Sequence, residues 1–191
     1  MEKLLEQIRE CRICAPYLVN GVRPVVSAGA ESRLVVVGQA PGRIVHAGGI
    51  PWDDKSGENL RGWLGMDRAE FYDTGRLALM PMGFCYPGTG TSGDLPPRPE
   101  CAPLWHPRLL DAMPQVRLIL LVGLYAQQYY LREAAESTLT GTVRNFRAYL
   151  PRYFPLPHPS PRNNIWQARN PWFAREVLPE LKKQVRSLWN T

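Results

Sequence analysis

Two runs in this chain, Leu34-Val35-Val36-Val37 and Leu118-Ile119-Leu120-Leu121-Val122, contain no polar residue, and each ends in a glycine. A strand with one wet face alternates apolar and polar side chains. A strand without that alternation must be covered on both faces, which is the condition of a parallel sheet packed between helices. Leu77 to Met80 is a third, shorter strand, and residues 145 to 154 lead into a weaker fourth near Tyr153-Phe154.

The segments between these strands carry helical spacing. Met1 to Cys11 places Leu4, Leu5 and Ile8 on one face. Ser56 to Leu64 is expected to start on Ser56 as its N-cap and to turn Leu60, Trp63 and Leu64 inward. Trp105 to Met113 and Tyr125 to Ala134 follow, and Pro171 to Trp189 reads as one long helix kinked at Pro179. Strands alternating with helices predict an α/β fold with a four-stranded parallel sheet, and 1–191 reads as a single domain. Residues 81 to 103 hold too many Gly and Pro for regular structure. A loop of that length inside a compact domain is functional or held by a ligand.

Composition narrows the class. A length of 191 residues with 45% hydrophobic and 21% charged side chains suits one globular core and excludes wholesale disorder. The 19 Pro and 16 Gly follow no period, which excludes collagen. No apolar run approaches the roughly 20 residues of a membrane span, and the first ten residues lack the apolar centre of a signal peptide. A cytoplasmic monomer without a membrane partner is expected. Net charge is +6, and of the 23 basic residues only 4 are Lys. Arg forks onto phosphate and stacks on bases, so a polyanion such as nucleic acid is a natural partner.

Four cysteines fall in two groups: Cys11 and Cys14 as a C-x2-C, and Cys85 and Cys101 in the Gly/Pro-rich stretch. Without an export signal, a metal site is favoured over disulfides. Four thiolates hold either tetrahedral zinc or an iron–sulfur cluster, and the spacing alone leaves the metal open.

Three loops carry chemistry. Gly38-Gln39-Ala40-Pro41-Gly42 follows the first buried strand and offers backbone N–H groups to a phosphate or a base edge. Pro51-Trp52-Asp53-Asp54-Lys55-Ser56-Gly57 sets an aromatic side chain beside two acids. Trp52 either stacks on a base or covers the core, and each acid either positions a water or caps the following helix. In Pro157-His158-Pro159-Ser160-Pro161-Arg162-Asn163 the prolines stiffen the backbone around a histidine at a strand end, and Arg162 lies at the tip.

In this order the three loops resemble the motifs of the uracil-DNA glycosylase superfamily. The cysteines resemble those of its iron–sulfur branch, families four and five, and the His158 loop is most similar to that of the single-strand-selective monofunctional branch. The resemblance implies a three-layer α/β/α sandwich, a [4Fe–4S] cluster (less likely Zn) on Cys11, Cys14, Cys85 and Cys101, and DNA containing uracil or another deaminated base as partner. It assigns His158 to hydrogen-bond the departing base, and Gly38, Ala40, Trp52 and Pro81 to the base pocket. Ser160, Arg162 and Asn163 are assigned to DNA, with Arg162 as the wedge.

Two positions depart from the pattern. Gln39 replaces the acid of family four, which makes Asp54 the expected catalytic carboxylate and leaves Gln39 a lesser role. Pro81 stands near the position where many members have an Asn that reads the Watson–Crick edge, which widens the expected substrate beyond uracil. A DNA repair glycosylase is the leading expectation. A diverged, non-catalytic nucleic-acid-binding module is the alternative, and hydrolysis of a free nucleoside is a third, opposed by Arg162 and the basic charge.

Overall fold

The computed structural model describes residues 1–91 and 93–189. After helix α1 (Glu2–Glu10), strand β1 (Leu34–Val37) is followed by helices α2 (Arg43–Gly48), α3 (Lys55–Leu64) and α4 (Arg68–Tyr72), then by β2 (Leu77–Leu79). A two-residue hairpin, β3 (Thr89–Gly90) and β4 (Gly93–Asp94), precedes α5 (Cys101–Asp111) and β5 (Leu118–Val122). Helices α6 (Leu124–Leu131) and α7 (Leu139–Arg144) lead to β6 (Tyr153–Leu156), and α8 (Asn164–Arg169) and α9 (Leu178–Ser187) complete the chain. No helix among the described residues is long and apolar enough to cross a membrane.

The sheet is parallel, in the order β2-β1-β5-β6, with Leu34 opposite both Leu77 and Leu118 and Ile119 opposite Tyr153. Every residue of β1 and β5 is buried, as their unbroken apolar character requires. Alternate side chains serve opposite layers. Leu34, Val36, Leu118 and Leu120 pack against α3, α4, α7 and α9 through Leu60, Trp63, Phe71, Val143 and Leu181. Val35, Val37, Ile119 and Leu121 pack against α1, α5 and α6 through Ile8, Trp105, Leu109 and Ala126. This is the expected three-layer sandwich. The chain steps outward from β1 in both directions across the sheet, so the crevice for a ligand lies at the carboxyl ends of the central strands.

Several elements differ from expectation. Helix α3 is capped by Asp54, whose Oδ1 accepts from Gly57 N at 2.9 Å, and not by Ser56. The stretch from 81 to 103 is not structureless: it contains the β3–β4 hairpin, and α5 begins at Cys101, four residues ahead of Trp105. The expected C-terminal helix, Pro171 to Trp189, consists of a π turn over Phe173–Val177 running into α9, and a separate short helix, α8, precedes it. Pro179 is the second residue of α9 and directly follows the π turn, so the position that lacks an N–H lies where the helix changes its hydrogen-bond pattern.

Candidate active site

A cavity of about 410 Å³ opens where the loops after β1, β2 and β6 meet the segment before α3. Its walls include Gly38, Gln39, Ala40, Trp52, Asp54, Pro81, His158, Ser160 and Arg162. Nine of the ten residues expected in the base- and DNA-binding site thus share one cavity. The tenth, Asn163, does not line it; its Nδ2 donates to the His158 carbonyl at 2.6 Å and braces the loop.

Trp52 is held under tension. Its φ of 58° lies in the left-handed region, which bulky side chains rarely adopt. Two glycines make room for it. A Cβ on Gly38 would stand 2.7 Å from the indole, and one on Gly57 would stand 1.7 Å from the Trp52 carbonyl oxygen. The indole also stacks on the His158 ring, with centroids 5.7 Å apart and planes inclined by 29°.

His158 sits at the end of β6 on a loop pinned from two sides, by Asn163 and by Asn59 Nδ2, which donates to the Pro159 carbonyl at 2.8 Å. Burial pushes its pKa down, and the charge of Asp54 partly opposes that. The imidazole is therefore neutral near pH 7 and acts as a hydrogen-bonding group, not a cation. Ser160 caps the turn at Pro161–Asn163 by accepting from Arg162 N at 3.3 Å, which fixes where the Arg162 side chain departs.

The two neighbouring acids separate. Asp53 turns to the surface and pairs with Arg68 at 2.8 Å. Asp54 caps α3 through Oδ1 and also lines the cavity. Gln39 donates from Nε2 to the Leu95 carbonyl at 3.1 Å.

Two features were not anticipated. Asp94, on β4, also lines the cavity. Behind Pro81, the buried His106 bridges the Pro81 carbonyl, 3.0 Å from Nε2, and the Tyr130 hydroxyl, 2.8 Å from Nδ1. A carbonyl only accepts, so Nε2 carries the proton and Nδ1 accepts from Tyr130. Burial drives the His106 pKa down to about 4, which keeps this tautomer neutral.

Cys11, Cys14, Cys85 and Cys101 line a second, smaller pocket between α1, the loop after β2 and the start of α5. All four thiols are free. Burial, with the charges of the neighbouring thiols adding, pushes Cys85 to about 11 and Cys101 to about 12. Phe84 N donates to Cys101 Sγ at 3.4 Å. Among the described residues no group of three or more His, Cys, Asp or Glu side chains forms a metal-ion site.

The fold is a parallel α/β sandwich whose aromatic-walled pocket, bearing an imidazole and carboxylates, lies at the strand ends. The family model for the uracil DNA glycosylase superfamily matches residues 26–182, and the chain belongs to that superfamily. The matched region contains every residue lining the cavity except Val25, and it begins after Cys11 and Cys14.

Proposed function

We propose that the protein is a DNA repair glycosylase that hydrolyses the N-glycosidic bond of uracil or another deaminated base flipped out of DNA. The observation that carries this reading is the convergence of the Gly38–Ala40 turn, Trp52, Asp54 and His158 on one cavity large enough for a base. Extrusion of a base costs stacking energy, which a pocket with an aromatic wall returns.

The chemistry follows from the positions of these groups. As the C1′–N bond breaks, its electron pair leaves with the base and positive charge grows on the sugar. Neutral His158 donates to the base oxygen that gains negative charge, a contact strongest in the transition state. Backbone N–H groups of the first loop add to it. Asp54 presents Oδ2 to the sugar cation and to the water that replaces the base. Ser160, Arg162 and Asn163 form the loop that meets the DNA, with Arg162 entering the gap left by the flipped nucleotide.

The cysteine pocket supports membership in the iron–sulfur branch. Four thiols from three chain segments line it, and burial keeps Cys85 and Cys101 protonated until a bound cation displaces the protons. Cys11, Cys14, Cys85 and Cys101 would hold a [4Fe–4S] cluster, a structural tie between α1 and α5. The hydrolysis itself needs no electron transfer.

One observation favours the second reading, a binding module without catalysis: the Gln39 amide is engaged with Leu95 and has no basic group to offer. A gel assay separates the two. Single- and double-stranded oligonucleotides carrying uracil, hypoxanthine or xanthine are incubated with the protein and then cleaved at abasic sites. Strand scission on at least one base is expected. Retarded oligonucleotides that are never cleaved would instead identify the binding module.

A further inference from the structure

The lip of the cavity facing the His158 loop is the β3–β4 hairpin, and it carries an acid with no assigned task. Asp94 lines the cavity, and its Oδ2 is 3.4 Å from where a Cβ on Gly42 would stand. It therefore reaches the first loop at Gly42. Gln39 holds the carbonyl of the next residue, Leu95, at 3.1 Å. The Gln39 amide thus fastens the strand that carries Asp94.

The charges around Asp94 are those of the site itself. Asp94 feels the positive charge of Arg162, from the His158 loop, and the negative charge of Asp54. Arg162 Nη1 is 3.6 Å from the place of a Cβ on Gly93, so Arg162 overhangs the hairpin. Among the described residues none hydrogen-bonds the Asp94 carboxyl, whereas Asp54 has one oxygen committed to its helix cap. Burial pushes the Asp94 carboxyl above the usual carboxylate range; Arg162 opposes this and Asp54 adds to it. A more basic carboxylate is a better proton acceptor. Asp94 remains exposed on its outer side, at the rim. A base buried beside Trp52 and Gly38 leaves its sugar at that rim.

We propose that Asp94 is a second catalytic carboxylate of this site, facing the sugar of the flipped nucleotide, and that Gln39 is a positioning residue acting through it. The inference rests on the glycosylase reading. When the C1′–N bond breaks, its electron pair departs with the base. The oxygen of a water held by Asp94 then bonds to C1′, its proton passes to the Asp94 carboxylate, and solvent carries that proton to the base. Asp54 balances the sugar's positive charge from the other side.

The test uses two readouts on the full chain. The first is the single-turnover rate of base release. The second is the preference for an oligonucleotide with a cationic pyrrolidine abasic analogue over one with the neutral tetrahydrofuran analogue, which needs no catalysis. Asp94→Asn should lower the rate on the order of 10²-fold and the cation preference about tenfold. Gln39→Ala should lower both in the wild-type background and neither in the Asp94→Asn background, because a residue acting only through Asp94 has nothing left to position. An Asp94→Asn protein with both readouts within twofold of wild type overturns the assignment. An equal Gln39→Ala effect in both backgrounds overturns the coupling. A wild-type chain that releases no base overturns the glycosylase reading and the proton transfer together; the cation preference then decides whether Asp94 faces the sugar.

Discussion

The Trp52 indole and the His158 imidazole lie 5.7 Å apart with their planes inclined by only 29°, while the far edge of the indole closes on the Gly38 backbone. One aromatic side chain thereby connects the first loop, the segment before α3 and the loop after β6. The imidazole is held before any ligand arrives, and in the proposed mechanism a donor that needs no reorientation lowers the barrier.

His158→Ala should therefore lower the single-turnover rate of base release on the order of 10² to 10³, as loss of one preorganised donor does elsewhere. Affinity for DNA carrying a non-cleavable nucleotide should stay within about twofold, since the contact forms chiefly in the transition state. Asp54→Asn should slow the same step while keeping the α3 cap, because an amide oxygen still accepts from Gly57 N. Rapid-quench kinetics together with an affinity titration check both. A wild-type rate in the His158→Ala protein would discard this mechanism.

Arg162 occupies the tip of a turn that Ser160 caps. A wedge is needed only where a stacked neighbour must be replaced. Arg162→Ala should cut activity on duplex substrate about tenfold more than on single strands. Equal losses on both substrates, with a shallower salt dependence, would make Arg162 a phosphate contact instead.

If the cysteine pocket holds a cluster, freshly purified protein should be brown and contain iron and acid-labile sulfide. Cys85→Ser should bleach it and lower the melting temperature on the order of 10 °C, the shift expected from losing a tie worth about 3 kcal/mol in a chain of this size. Colourless protein with one tightly held zinc would reject the cluster. Four rapidly alkylated thiols in the native state would reject any metal.

His106 makes stability depend on pH. Its folded pKa is pushed down to about 4 by burial, from an ordinary 6.5. Between those values the unfolded chain binds a proton that the folded chain does not, so stability falls as pH is lowered from about 6.5 toward 4. The loss approaches about 3 kcal/mol at the low end. His106→Gln should cost stability at pH 7 by disturbing the Tyr130 and Pro81 bonds, and should flatten the acid-side decline. Urea midpoints at pH 7 and pH 5 measure both effects.

The sheet was legible because its strands are buried on both sides, and nothing but an unbroken apolar run satisfies that environment. The cavity was legible because a Gly/Pro turn and a Pro-locked histidine leave few conformations at a strand end. Asp94 escaped notice because a two-residue hairpin in a stretch rich in Gly and Pro has no periodicity to detect. Helix α7 escaped for a related reason: Leu139-Thr140-Gly141-Thr142 is a poor helix sequence, and the segment depends on the Thr138 cap and on burying Val143. Ser56 and Asp54 are both residue types that cap helices, and α3 starts on Asp54, two residues earlier, with Gly57 N donating to its carboxylate. His106 carried no signal, since a single histidine on a helix face reads the same whether it meets water or a tyrosine.

Asp54 caps the first turn of α3, and Asn59, one turn further along, grips the loop that carries His158. The acid and the imidazole are thus two jaws of one calliper, set by about 7.5 Å of helix rise. Lengthening or shortening the surface connections between α4 and β6 leaves that opening unchanged. Asn59→Ala would let it drift while touching neither jaw, so gradual variation in the preferred base is expected to trace to α3 before it traces to the groups that meet the base.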